Sequence, residues 1–121
     1  MGKKILIVED ELDLCRIMET RLQANGYQII SAQSGEEALK KAQSSHPDLI
    51  VLDILLPGMD GFEVFRQLKK KRKTKNIPVI LLTSLDYEKA VSKGLEEGAA
   101  CFITKPYRRK DLLDEIENCL N

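Results

Sequence analysis

Five short apolar runs punctuate the chain, and each is followed by a stretch in which apolar residues recur at helical spacing. Lys4-Ile5-Leu6-Ile7-Val8 opens the series. Tyr27 to Ala32, Asp48-Leu49-Ile50-Val51-Leu52-Asp53, Val79-Ile80-Leu81-Leu82 and Ala100 to Thr104 continue it. The central runs, rich in Ile, Val and Leu without polar alternation, predict strands covered on both faces, as in a parallel sheet. Leu14, Ile17, Met18 and Leu22 predict an amphipathic helix over residues 12 to 25. Further helices are predicted through Ala38, Leu39 and Ala42, through Phe62, Phe65 and Leu68, through Ala90, Val91 and Leu95, and through Leu112, Leu113, Ile116 and Leu120.

The punctuation agrees. Gly26 supplies a stop for the first helix. Ser34 and Glu37, three apart, read as a capping box. Pro57-Gly58 suits a type II turn. Asp86 can cap the fourth helix, with Gly98 closing it. Strand then helix, five times, with crossovers long enough for right-handed connections, gives an α/β fold of parallel strands. No linker, repeat or low-complexity segment divides the chain, so residues 1–121 are expected to form a single domain.

Composition narrows the class. Hydrophobic residues at 43% and charged residues at 31% make an ordinary globular balance. The 19 Lys and Arg match the 19 Asp and Glu, so no global charge points to nucleic acid or a membrane surface. No apolar run approaches the roughly 20 residues of a membrane span, and the first residues lead straight into a strand rather than a signal peptide. Cys15, Cys101 and Cys119 lack metal-ligand spacing and read as reduced thiols of a cytoplasmic protein.

In a parallel sheet all strand C-termini share one edge, where open α/β sheets bind their ligands. The first strand delivers Glu9 and Asp10 to that edge, the third Asp53, the fourth Thr83 and Ser84, the fifth Lys105. Two carboxylates about 4 Å apart repel by about 4 kcal/mol at an effective dielectric near 20. A divalent cation removes the conflict, and hard oxygens without nearby His or Cys favour Mg²⁺. Carboxylates, Mg²⁺, a hydroxyl and a lysine suit phosphoryl transfer onto an aspartate.

At this point the chain resembles the receiver domains of two-component response regulators. The resemblance runs over the whole length, through Ile7-Val8-Glu9-Asp10-Glu11, Val51-Leu52-Asp53, Leu56-Pro57-Gly58-Met59-Asp60-Gly61, Leu82-Thr83-Ser84, Gly94-Leu95-Glu96-Glu97-Gly98-Ala99 and Phe102-Ile103-Thr104-Lys105-Pro106. It implies a flavodoxin-like, doubly wound sheet of five strands in the order 2-1-3-4-5. It implies that Asp53 accepts phosphate from a histidine kinase or phosphotransfer protein. Asp10, Asp53 and the backbone carbonyl of Leu55 would ligate Mg²⁺, with Glu9 acting through water. Thr83 would bind a phosphoryl oxygen, and Lys105 would pair with the carboxylate or its phosphate. The Lys105-Pro106 bond resembles one that is cis in the family. Phe102 occupies an aromatic switch position that reshapes the face of the fourth helix, fifth strand and fifth helix for a downstream protein. The resemblance implies catalysis of its own phosphorylation and dephosphorylation only, no direct nucleic-acid contact, and a monomer or weak phosphorylation-dependent dimer.

Two features depart from the commoner pattern. Phe102 stands where Tyr is usual, so a hydroxyl contact is lost. Leu55 and Leu85, two residues after Asp53 and Thr83, can screen water and cannot activate it, which implies slow self-dephosphorylation. The leading reading is a stand-alone switch or relay carrier. A receiver cut from a longer regulator with a DNA-binding or enzymatic output domain stays open. An aspartyl-phosphate phosphohydrolase fits less well, because Leu55 stands where such enzymes usually carry a second Asp. A flavin binder would need a phosphate-cradling loop where Glu9-Asp10-Glu11 stands. The run Lys69 to Lys75 holds six Lys or Arg in seven residues and reads as a solvated helix end.

Overall fold

Alternation along the strands decides which side of the sheet each residue serves. The computed structural model describes residues 2–56, 58, 60–83, 98–104 and 108–120. Its strands are β1 (Lys4–Val8), β2 (Gln28–Ala32), β3 (Leu49–Asp53), β4 (Val79–Thr83) and β5 (Cys101–Thr104). They form one parallel sheet in the order β2-β1-β3-β4-β5. The expected flavodoxin-like order 2-1-3-4-5 is therefore present. β3 and β4 are buried at every position, as residues covered on both faces must be.

Ile5 and Ile7 enter one core, with Leu49, Val51, Ile80 and Leu82. Leu6 and Val8 enter the other, with Ile50, Leu52, Val79 and Leu81. Helix α1 (Leu12–Ala24) and the last helix (Arg109–Leu120) cover the first side through Cys15, Met18, Leu22, Leu112 and Ile116. Helices α2 (Gly35–Ser45) and α3 (Gly61–Lys70) cover the second through Ala38, Leu39, Ala42, Phe62, Phe65 and Leu68. Each fully buried Leu, Ile or Phe contributes about 1.5–3 kcal/mol of transfer free energy. The predicted fourth helix, with its Asp86 cap, lies outside the described residues, as do Ser84, Leu85, Lys105 and Pro106. Among the described residues, no helix is long and apolar enough to cross a membrane.

Three local expectations change in the structure. The apolar face of α1 was expected to include Leu14 and Ile17, yet these are 37% and 44% exposed. The buried stripe is Cys15, Met18 and Leu22. Cys15 and Met18 each stand one residue, about 100° of helix, beyond Leu14 and Ile17. The capping box forms with a shift: Ser34 Oγ accepts from Glu37 N–H at 3.2 Å, while Glu37 Oε1 accepts from Gln33 N–H at 2.8 Å rather than from Ser34. The Gln33 bond and then Lys41, whose Nζ lies 3.1 Å from Glu37 Oε2, hold the Glu37 carboxyl below its usual range.

The basic run is also not simply a solvated end. Lys69 Nζ donates to the carbonyls of Lys75 and Ile77, each at 3.3 Å, and stands over the Phe65 ring. Burial lowers its pKa. Thr74 is fully buried, and its Oγ1 donates to the Leu68 carbonyl at 2.6 Å. That carbonyl lies in the last turn of α3 and has no intrahelical donor. Thr74→Val keeps the shape and removes the donor. Its unfolding free energy should fall by about 1–3 kcal/mol, read as a lower urea midpoint at unchanged slope. An unchanged midpoint would show that the bond is not needed.

Candidate functional site

Strand register brings the site together. Val8 is paired with Leu52, so Glu9 and Asp53, the next residues, stand level at the ends of neighbouring strands. β1 and β3 are also where the chain switches direction across the sheet, since β2 lies on one side and β4 on the other. Both carboxylates are withdrawn from solvent, Glu9 to 1% exposure and Asp53 to 3%. Thr83, fully buried, ends β4 one position beyond Leu82, the register partner of Asp53. Thr83 is in turn level with Thr104 at the end of β5. The topology thus assembles Glu9, Asp53 and Thr83 along one edge.

Backbone amides tie the ends down. Asp53 Oδ1 accepts from the Leu55 N–H at 2.9 Å, and Ile54 N–H donates to the Leu82 carbonyl at 2.9 Å. Glu9 N–H donates to the Ala32 carbonyl at 3.0 Å, and Glu9 Oε1 accepts from Glu11 N–H at 3.3 Å. Asp10 is exposed on the loop between them. Leu55 is also exposed, at 51%, two residues beyond Asp53. Phe102 is half-buried and packs against the core on the α2 and α3 side, as does Leu56. Lys105 and Pro106 lie outside the described residues.

The three carboxylates do not form a cage. Among the described residues, no three His, Cys, Asp or Glu side chains stand close enough together to share a metal ion. What the edge offers is carboxylate oxygens, a backbone carbonyl and access to water from the Asp10 and Leu55 side. That donor set fits Mg²⁺, which keeps several waters and needs only one or two carboxylates. Burial works in the same direction, because two withdrawn carboxylates need positive charge or donors nearby.

Gly61 was not among the expected site residues. It opens α3, directly after Asp60, whose Oδ1 accepts from the Phe62 N–H at 2.6 Å. Gly61 N–H donates to the Ile54 carbonyl at 2.7 Å. A Cβ at Gly61 would meet the Ile54 Cα, the Asp53 carbonyl at 2.6 Å and the Ile54 carbonyl at 2.7 Å. The start of α3 therefore rests on the backbone that carries Asp53. Its signal in the sequence is a glycine in the first turn of a helix, where better helix formers are normal.

A profile of the response regulator receiver domain matches residues 5–117. The chain belongs to this family. The receiver domain is 44% identical over 120 residues to the alkaline phosphatase synthesis transcriptional regulatory protein PhoP of Bacillus subtilis, covering 99% of this chain and 49% of that protein. It thus spans about half the length of the curated relatives it matches. Among solved structures, it resembles the signal receiver domain of a signal transduction histidine kinase from Syntrophus aciditrophicus. The identity is 39% and the TM-score 0.90, over 98% of this chain and 90% of that one. It also resembles the chemotaxis response regulator CheY4 of Vibrio cholerae, with 30% identity and a TM-score of 0.91 over 99% and 100% of the two chains. Receiver domains are signalling modules.

Gly61→Ala tests the contact beneath Asp53. Backbone atoms must give way, so stability should fall by about 1–3 kcal/mol, and the amide resonances of Asp53, Ile54 and Leu55 should shift. A variant as stable as the parent, with those resonances unmoved, would show that the turn has room to spare.

Proposed function

We propose that residues 1–121 act as one phosphoacceptor unit in which Asp53 takes a phosphoryl group from a histidine kinase or a phosphotransfer protein. The observation that carries this reading is the placement of Asp53: buried, at a strand end, level with Glu9 at the switch in strand order. An Asp53 carboxylate oxygen attacks the phosphorus, the bond to the donor nitrogen breaks, and an acyl phosphate remains. Asp10, Asp53 and the Leu55 carbonyl would hold Mg²⁺, with Glu9 contributing through water, and the ion supplies positive charge to the phosphoryl oxygens. The Leu55 N–H, which already reaches the Asp53 carboxylate, orients it. Thr83 donates its hydroxyl to a phosphoryl oxygen, and Lys105 neutralises the added charge.

The readout follows from packing. Thr83 lies on β4 beside β5, and its movement toward the phosphoryl group frees space into which Phe102 turns. The face of the predicted fourth helix, β5 and the last helix then changes shape for a protein target. In this reading the unit works in the cytoplasm, as a monomer or as a weak, phosphorylation-dependent dimer. The resemblance to PhoP, a transcriptional regulatory protein about twice as long, favours a second reading, in which the same unit controls an attached DNA-binding output domain.

Incubation with acetyl phosphate and Mg²⁺ should add one phosphoryl group by intact mass. Asp53→Asn or chelation of Mg²⁺ should abolish the addition. Addition to the Asp53→Asn variant, or none to the parent with Mg²⁺ bound, would overturn the assignment. Leu55, exposed beside Asp53, screens the acyl phosphate and cannot position water. Loss of phosphate in Mg²⁺ buffer should therefore be several-fold slower in the parent than in Leu55→Asn. Equal or faster loss in the parent would remove the screening role.

A further inference from the structure

β5 is an edge strand, and its side chains divide between the two cores. Phe102 serves the α2 and α3 side. Cys101 and Ile103 serve the other, where Leu112 and Ile116 of the last helix pack with them. The last helix returns antiparallel to β5, so its later residues lie over the strand's beginning. Glu115 accordingly lines an open groove together with Cys101, Phe102, Ile103 and Thr104. Cys119 follows Glu115 by four residues, on the same helix face. It packs against the same core as Cys101, and both cysteines are half-buried.

We propose that Cys101 and Cys119 are a redox pair, which a peroxide or a small-molecule disulfide oxidises to an intramolecular disulfide tying β5 to the last helix. The third thiol, Cys15, is buried in α1, 3.8 Å from the Glu19 carboxylate, and is left out of the pair.

Charge and burial oppose a metal site and make oxidation slow, since both need a thiolate. Burial pushes the Cys101 thiol up to about 12, and the neighbouring Glu115 carboxylate and Cys119 add to the effect. Burial and Glu115 also raise Cys119. Metal ligation needs both thiols deprotonated, which this surrounding opposes. The resting pair is a neutral dithiol, slow to react at neutral pH and faster in alkali. Oxidation breaks both S–H bonds and forms one S–S bond. Its two electrons cleave the O–O bond of hydrogen peroxide, which takes up two protons and leaves as two waters; with a small disulfide, two small thiols leave instead.

The bond would fix Cys101, the neighbour of Phe102, to the helix beside it. That places a covalent clamp within the partner face, and this consequence alone rests on the function proposed above.

The full chain should be treated with hydrogen peroxide or oxidised glutathione while folded, then unfolded, alkylated with iodoacetamide and weighed intact. The expected product has lost two hydrogen atoms, accepts one alkyl group at Cys15, and recovers three reactive thiols with dithiothreitol. A peptide map should join Cys101 to Cys119. Cys101→Ser and Cys119→Ser should each keep two reactive thiols and lose no hydrogen. Three alkylations after oxidation, a cross-link to Cys15, added oxygen on a single cysteine, or a disulfide-linked dimer would overturn the pairing. Thiol counting is independent of Asp53, so this result and the phosphorylation result can fail separately.

Discussion

Burying two carboxylates side by side is the constraint on which this structure turns. Glu9 and Asp53 stand level on adjacent parallel strands, and almost nothing of either reaches solvent. Like charges in that position are costly unless positive charge or donors compensate. The surroundings are arranged accordingly: amides from Glu11 and Leu55 meet the two carboxylates, and the hydroxyl-bearing end of β4 comes alongside. Such an edge concentrates acidic oxygens where little solvent reaches them.

Precision at Asp53 comes from the turn that follows it. Asp60 caps α3 through the Phe62 amide, and Gly61 brings the first turn against the Asp53 and Ile54 backbone with no side chain between. α3 has its own anchor at the other end, where the buried Thr74 closes the Leu68 carbonyl and Lys69 gathers the carbonyls of the next loop. The helix is therefore held at both ends, and Phe62, Phe65 and Leu68 pack it onto the sheet. A strand-end carboxylate on a rigid support is oriented more precisely than one on a loop.

Much of this was legible in order and spacing. Apolar runs marked the strands, and carboxylates at their ends marked the edge, because a residue that must leave a two-sided core can be polar only where the strand ends. The misses share a cause. Leu14 and Ile17 had the right spacing, yet a helix has one orientation against its sheet, and the Cys15, Met18 and Leu22 stripe won it. The capping box missed by one residue, because Glu37 reaches the Gln33 amide rather than that of Ser34.

The sequence by itself determined the α/β class, the strand and helix succession among the described residues, and the identity of Asp53 as the strand-ending carboxylate. Those features rest on local periodicity and on turn chemistry, which act over a few residues. Only the tertiary structure decided that Glu9 stands level with Asp53, that Gly61 must lack a side chain, and that Thr74 and Lys69 work inside the basic run. It alone brought the faces of Cys101 and Cys119 onto one core. These depend on register and packing between segments far apart in the chain, where one residue of slip or one turn of helix rotation changes every neighbour.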